Sequence, residues 1–386
     1  MTRAEKTRYC HTNMGPCRIF IRSCFIAVCT LVSLLSCSRK GPAIKHEELF
    51  SLNLGVMADE LDYFERDGTL FFDKKIDILM RDGLFYISNP SLGKVMKFSN
   101  YGDILSLVYN EQSNLPFKKN DLGFRVTTWN FQNIGLLAVD NEGGMYVDDR
   151  IEVDADLLGP IPFDRVILRF DNNGEYIDFL GQEGKNTSPL PFITELKTTR
   201  NNLLMAVTRD QDTWKVYGYD SQGDLAFPAI SLPASLVHPD DDPDITFQVS
   251  RITPDTTGEL LYISAAGLTK SKTEVLPRMF LYSLAENKII RSFLFPLGKL
   301  GEGFSLIGSD MEQNLYFTRD LVKNGEQTGY ELQVLDSYGA VIRSAMLMHE
   351  LKEPPISTSM AVSEDGIVYA LFAYSFGAEV VWWRPV

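Results

Sequence analysis

The sequence predicts an all-β fold, a six-bladed β-propeller of four-stranded blades. A pattern of four short apolar strands separated by turns recurs six times in residues 76–386. The middle residues of the second strands lie 60, 60, 56, 54 and 53 residues apart. Four-stranded repeats of this length are typical of propeller blades. The sixth unit lacks a fourth strand, and Leu49–Leu54 is the unassigned β-like segment that could supply it.

The chain begins with the features of an export signal, predicted over residues 1–36. Arg18 and Arg22 precede an apolar stretch, Ser23–Leu35, that is short for a membrane span. It ends in Leu-Leu-Ser before Cys37, which resembles the bacterial lipobox. The resemblance implies cleavage before Cys37 and its lipidation, so that the protein is anchored to a membrane. An ordinary signal peptide and an N-terminal anchor helix are the alternatives.

The segment after the cysteine is predicted to be a tether. Residues 37–46 are polar and contain Gly and Pro, a composition that favours a flexible linker. Ser38 follows the cysteine where Asp would mark inner-membrane retention, which favours the outer membrane. The propeller is predicted over residues 47–386, with Leu49–Leu54 closing the sixth blade and Met57–Arg66 forming a connecting turn of helix.

Within the repeats, the second strand and the turns show how the six units align with one another. Tyrosine occupies the middle of the second strand in five of six units, and its ring is expected to pack between blades. The turns are rich in Asp, Asn and Gly, which tolerate the backbone angles that tight turns need. In the third unit the fourth strand is predicted at Asp224–Phe227. A two-sheet sandwich, or a pair of β domains, is the alternative architecture.

Composition excludes several kinds of site. All five cysteines lie in the first 37 residues, so the folded part has no disulfide, no thiolate metal site and no cysteine nucleophile. The formal net charge is −14, which disfavours nucleic acid and anionic lipid headgroups as partners. No cofactor is predicted. Calcium is the alternative, at acidic loops around Asp148–Asp156 and His238–Asp244.

Polar residues follow the second strands at one predicted rim of the ring. Because successive blades repeat the same path, these side chains are expected to converge on one face, where they could bind a partner. The alternative is that they are solvated strand ends. The candidate binding residues are Asn89, Asp148, Asp149, Arg209, Asp210, Arg319 and Asp320.

The repeat pattern resembles a known family. An apolar strand, Asp-x-x-Gly, a strand with Tyr, and then Arg-[Ile/Val]-x-x-Phe-Asp-x-x-Gly are similar to NHL-like six-bladed repeats. The second unit carries this pattern in Leu136–Gly181. With the lipobox, the chain resembles envelope lipoprotein propellers of spirochaetes and Bacteroidetes. The resemblance implies a cell-envelope location and no catalytic residue.

These observations favour a non-catalytic binding or scaffolding module, anchored through Cys37, monomeric, and bound to an envelope protein. Two alternatives stay open. One is a propeller enzyme of the gluconolactonase-like type, in which Asn89, Asp148 and Asp210 would gather on a central divalent cation. The other is capture of a small-molecule ligand.

Overall fold

Repeated hairpins organise the fold, seen in a computed structural model of the chain. The structure describes residues 41–63, 76–114, 123–150, 165–181, 190–237, 244–271, 274–296, 303–323, 326–349 and 353–384. The predicted signal, Cys37 and the acidic loop around residue 240 lie outside the described residues. Among those described, no helix has the length and apolar character to cross a bilayer.

Residues 42–386 form one unit of six sheets, and neighbouring blades meet through their first strands. Two N-terminal strands come first, β1 (Ala43–Lys45) and β2 (Glu47–Asn53). Blade 1 contains β3 (Asp77–Arg81), β4 (Leu84–Asn89), β5 (Lys94–Phe98), β6 (Ile104–Tyr109) and β7 (Arg125–Thr128). Blade 2 contains β8 (Leu137–Val139), β9 (Met145–Arg150), β10 (Arg165–Phe170) and β11 (Tyr176–Leu180). Blade 3 contains β12 (Phe192–Thr198), β13 (Leu204–Asp210), β14 (Thr213–Tyr219) and β15 (Ile230–Pro233).

The second half of the ring continues in the same way. Blade 4 contains β16 (Ser235–Leu236), β17 (Ile245–Pro254), β18 (Leu260–Thr269), β19 (Glu274–Ser283) and β20 (Lys288–Leu294). Blade 5 contains β21 (Ser305–Ser309), β22 (Leu315–Lys323), β23 (Glu326–Leu335) and β24 (Val341–Met348). Blade 6 contains β25 (Ser357–Val362), β26 (Val368–Tyr374) and β27 (Gly377–Trp383). The prediction of a six-bladed propeller is confirmed.

The N-terminal strand closes the ring, as the sequence predicts. β2 pairs antiparallel with β27 and becomes the outer strand of blade 6, over Glu47–Asn53. Phe50 of this strand is buried against Phe85 and Phe98 of blade 1. The turn at Gly102 has a φ of 85°, and a Cβ there would come within 2.6 Å of the Phe50 Cβ. The closing strand therefore packs against the neighbouring blade as well as pairing with its own.

Three features differ from the predictions. Blades 1, 4 and 5 each gain a fifth strand, and the strand added to blade 5 is β1, which lies inside the predicted tether. Residues 57–63 hold a bend, a turn and a single bridge between Leu61 and Leu54 in place of helix, and residues 64–66 of that prediction lie outside the described residues. In blade 3 the outer strand is β15, after the predicted Asp224–Phe227. Pro228 follows that segment and has no N–H to donate, and Phe227 packs over Gly218, so regular pairing resumes only at Ile230.

The predicted tyrosines lie between blades. Tyr262 is buried in blade 4 and its hydroxyl donates to the Gln313 carbonyl of blade 5 at 3.4 Å. The Tyr316 hydroxyl of blade 5 donates to Asp310 at 3.1 Å and lies against Gly366 of blade 6. Burial raises the pKa of both hydroxyls, so they stay protonated donors. Each ring thus fills an interface, and each hydroxyl bonds to a turn at one end of it.

Candidate functional site

The two faces of the ring are built differently. One face, here called the turn face, carries the turns between first and second strands and those between third and fourth strands. Most of these turns share one geometry, in which the first side chain accepts N–H groups two and four residues later. In blade 2, Asp171 accepts from Asn173 and Glu175 at 2.9 and 2.8 Å, and Gly174 has a φ of 83°. The Asp-x-x-Gly motif is therefore a turn-forming device.

The rim residues that the sequence singled out lie toward the opposite face. Asn89 ends β4 and is buried. In the amide orientation that satisfies both of its groups, it accepts from the Asp62 N–H at 2.8 Å and donates to the Asp62 carbonyl at 2.7 Å. The neighbouring Lys94 is also buried and donates to the Met57 carbonyl at 2.7 Å. Burial lowers the pKa of Lys94 to about 8. Both side chains hold the segment that follows the closing strand.

Asp148 and Asp149 are adjacent and almost completely buried in β9. Asp148 forms a salt bridge with Arg165, and Gly135 leaves room for it, because a Cβ there would overlap the pair. Burial raises the pKa of Asp148 to about 6, although Arg165 opposes the shift. Asp149 accepts the backbone N–H groups of Gln132 and Asn133 at 3.1 and 2.5 Å. These carboxylates organise the loop before β8.

The remaining rim residues contact neighbours of their own blades. Arg209 lies over the Trp214 ring, with 5.2 Å from Cζ to the centroid. Arg319 donates to Glu331 at 2.9 Å, and Asp320 accepts from a glutamine at 3.0 Å. Asp210 is exposed at the end of β13. Only Asp148 and Asp149 come together, and a shared binding site at this rim stays a prediction.

The metal-dependent alternative needs carboxylate and amide groups to meet at the axis. Asn89, Asp148 and Asp210 lie in three different blades, and the first two bond to their local neighbours. Within the described ranges, no group of three or more His, Cys, Asp or Glu side chains is arranged to hold a metal ion.

Two cations that the sequence analysis did not select connect all six blades. Arg81 of blade 1 donates to the Val139 carbonyl of blade 2 and to Thr198 of blade 3, both at 3.1 Å. It also forms a 3.0 Å salt bridge with Glu364 of blade 6. An arginine that touches blades 2, 3 and 6 must reach across the axis, so its guanidinium lies in the central channel.

Lys197 completes this connection on the other half of the ring. Its ammonium donates to the Pro254 carbonyl and Thr256 of blade 4, both at 3.2 Å, and lies 3.5 Å from the Ser309 hydroxyl of blade 5. Burial lowers the pKa of Lys197, and Glu195, Asp255 and Glu364 oppose the shift. Arg81 and Lys197 thus both contact other blades near the axis at the turn face. The sequence feature that could have identified them is a basic residue at or next to the end of the first strand of a blade.

The turn face also displays apolar side chains at its periphery. They lie in the hairpins between third and fourth strands of blades 1–5, namely Tyr101, Leu105, Tyr176, Ile177, Leu225, Ile289, Ile290, Tyr338, Val341 and Ile342. In four blades the outer strand carries a bulge directly after the turn. The unpaired residues there are Leu105, Ile177, Ile290 and Ile342. A bulge leaves its extra residue outside the ladder, which directs an aliphatic side chain to solvent.

A groove adjoins these residues between blades 1 and 2. It is open, encloses about 530 Å³, and is lined by residues 124–127 of the β7 region together with Asn173 and Glu175 of the blade 2 turn. Tyr176 next to it stacks on Trp129, with 4.2 Å between ring centroids. Apolar, aromatic and carboxylate groups therefore meet at this edge of the turn face.

The sequence matches no protein-family model and no curated protein. Similar solved structures include Kuenenia stuttgartiensis hydrazine synthase, with a TM-score of 0.41, 12% identity, and coverage of 77% of this chain and 75% of that one. The Dos1 propeller has a TM-score of 0.41, 12% identity, and coverage of 89% and 92%. The Cps50 (Swd1) propeller domain of Myceliophteria thermophila has a TM-score of 0.40, 10% identity, and coverage of 81% and 98%. At these identities the likeness concerns the fold alone.

Proposed function

We propose that this protein is a lipid-anchored envelope scaffold, whose propeller binds a protein partner through the turn face of blades 1–3. The fold is consistent with a protein-binding module. The observation that carries the proposal is the repeated display of exposed aliphatic and aromatic side chains in the turn-face hairpins. Exposed apolar clusters on soluble folds are typical of interaction surfaces.

The charge and the exposed apolar residues of the turn-face hairpins in blades 1–3 indicate the kind of partner. The eight-residue hairpin segments 99–106, 171–178 and 220–227 hold six carboxylates and no cation. Apolar residues such as Leu105 and Ile177 lie among these carboxylates, beside the groove between blades 1 and 2. A partner with a basic and apolar surface would be complementary in both respects. Anchoring through Cys37 would keep the propeller in the envelope, where such a partner is expected.

The test is affinity capture from detergent-solubilised envelopes, read by mass spectrometry. Leu105→Ser combined with Ile177→Ser removes the two bulged side chains of blades 1 and 2. Val322→Ser is the matched control, because Val322 is exposed at the opposite face. The proposal expects one envelope protein with wild type and control, reduced at least tenfold with the double variant. Equal recovery with all three proteins would contradict it.

A further inference from the structure

The turn face is asymmetric in charge. The corresponding hairpin segments of blades 4 and 5, residues 284–291 and 336–343, contain two carboxylates and three cations, Lys288, Arg291 and Arg343. The corresponding hairpin segments of blades 1–3 contain carboxylates and no cation. One sector of a strongly acidic ring is therefore slightly basic, and the expectation from net charge that anionic lipid headgroups are disfavoured does not apply to this sector.

The hairpins of blades 4 and 5 form one continuous surface. Arg291 of blade 4 lies over the Tyr338 ring of blade 5, 3.7 Å from Cζ to the centroid, and donates to the Ser337 carbonyl at 2.8 Å. This surface, here called the basic sector, exposes Ile289, Ile290, Tyr338, Val341 and Ile342. Tyrosine, aliphatic residues and long cationic side chains in one patch are the composition that fits the headgroup region of a bilayer.

The N-terminal chain leaves the sheet next to this sector. β1 pairs parallel with β24, Ala43 opposite Met346, and the Pro42 carbonyl accepts the Met346 N–H at 3.0 Å. Because β24 begins at the turn face, the N-terminal end of β1 points to that face. Val341 lies about 17 Å from Met346 along the strand. Pro42 lies five positions after Cys37 in the chain, a span of at most about 18 Å.

From these observations we infer that the basic sector docks on the surface of a phospholipid bilayer, beside the point where a lipid on Cys37 enters it. This inference rests on the proposed anchoring of Cys37. The apolar side chains of blades 4 and 5 enter the headgroup region, and Lys288, Arg291 and Arg343 face lipid phosphates. The ring is tilted in this arrangement, so that only blades 4 and 5 touch the bilayer and the acidic hairpins of blades 1–3, on the same face, are lifted away from it and stay accessible to a protein partner.

Site-specific quenching tests the orientation. Residues 38–386 contain no cysteine, so one introduced cysteine can be labelled in the lipidated full-length protein. Ile342→Cys places a fluorophore in the basic sector, and Ile177→Cys is the matched control. Both residues occupy bulges and are 54% and 53% exposed. The vesicles contain phosphatidylethanolamine and phosphatidylglycerol at 7:3, with a headgroup-region quencher on a fraction of the lipids.

The inference expects at least threefold stronger quenching at position 342 than at position 177. Equal quenching, with the protein floating with the vesicles, overturns the orientation and leaves the anchor intact. Failure to float, with Cys37 unmodified by mass spectrometry, overturns the anchor and the inference with it. Shielding of the 342 label only after envelope proteins are added would assign the sector to a protein partner and would also overturn the inference.

Discussion

At the scale of single residues, Arg81 and Lys197 connect the blades near the axis. A ligand or metal ion could have the same role in a propeller with an open channel. Each is placed at the end of a first strand, where the blades converge on the axis. Each donates to backbone and hydroxyl oxygens of other blades, so the cost of burying a cation is offset by several hydrogen bonds. The two side chains therefore connect the blades to one another at the turn face.

Replacing Arg81 should destabilise the whole ring. Arg81→Met removes the donor to Thr198, the salt bridge to Glu364 and one of the two donors to the Val139 carbonyl, which we expect to cost about 2–4 kcal/mol. The measurement is urea unfolding followed by circular dichroism. Lys270→Met is the control, because the Lys270–Asp244 pair is exposed and should contribute below about 1 kcal/mol. Equal losses in the two variants would contradict the assigned role of Arg81.

Asp148 should make stability depend on pH. Its pKa is raised to about 6 by burial, from an ordinary value of 3.8. Between these values the folded protein binds the proton more tightly than the unfolded chain, so the contribution of Asp148 to the unfolding free energy falls as pH rises from about 4 to 6. The expected fall is roughly 2–3 kcal/mol. Asp148→Asn should remove it, and a constant difference between wild type and variant from pH 4 to 7 would count against the shifted pKa.

At the scale of elements, the closing strand links the two ends of the fold. β2 joins blade 6 by pairing and blade 1 by the packing of Phe50 on Phe85 and Phe98. Tyr63, just after this strand, reaches the carbonyl oxygens of Tyr374 and Gly377 at 2.5 and 2.8 Å. The N-terminal segment thus holds the last blade from two sides.

Truncating the closing strand's aromatic side chain tests this contribution. Phe50→Ala should lower the unfolding free energy by about 3–5 kcal/mol, because it empties a buried site at the contact of blades 1 and 6. Ser51→Ala, on the exposed side of the same strand, should change stability little. The measurement is the melting temperature of each variant in thermal unfolding, compared with wild type. If the melting temperature of Phe50→Ala lies within about 1 °C of wild type, the contact does not hold the ring closed.

Much of the element order could be predicted because turn chemistry and period-two patterns are local. The six units and the N-terminal strand that closes the ring form as the sequence predicts. The outer strand of blade 3 could not be placed, since the effect of Pro228 on pairing depends on how Phe227 packs. The channel cations were missed for a related reason. Nothing local distinguishes Arg81 from a solvated strand end until six blades bring their first strands to one axis.

At the scale of the whole molecule, the ring combines blades connected near the axis by Arg81 and Lys197 with a peripheral surface that varies in charge. Blades 1–3 carry carboxylates among exposed apolar residues, and blades 4 and 5 carry cations. β1 places the start of the propeller at the outer edge of blade 5. We propose that blades 4 and 5 face the membrane and that blades 1–3 face a protein partner. The assignment follows from the proposed position of the lipidated residue, Cys37, near blade 5.

The proposed anchor at Cys37 is the premise on which the orientation of the molecule depends, and one measurement tests it most directly. Intact mass and membrane fractionation are determined for the mature protein and for Cys37→Ser. We expect a chain that starts at residue 37 and carries a lipid, with the variant released from the membrane; persistence of the variant there as the unprocessed precursor would support an N-terminal anchor helix instead. A mature chain that starts elsewhere, or one that stays membrane-bound without a lipid on Cys37, would contradict the account.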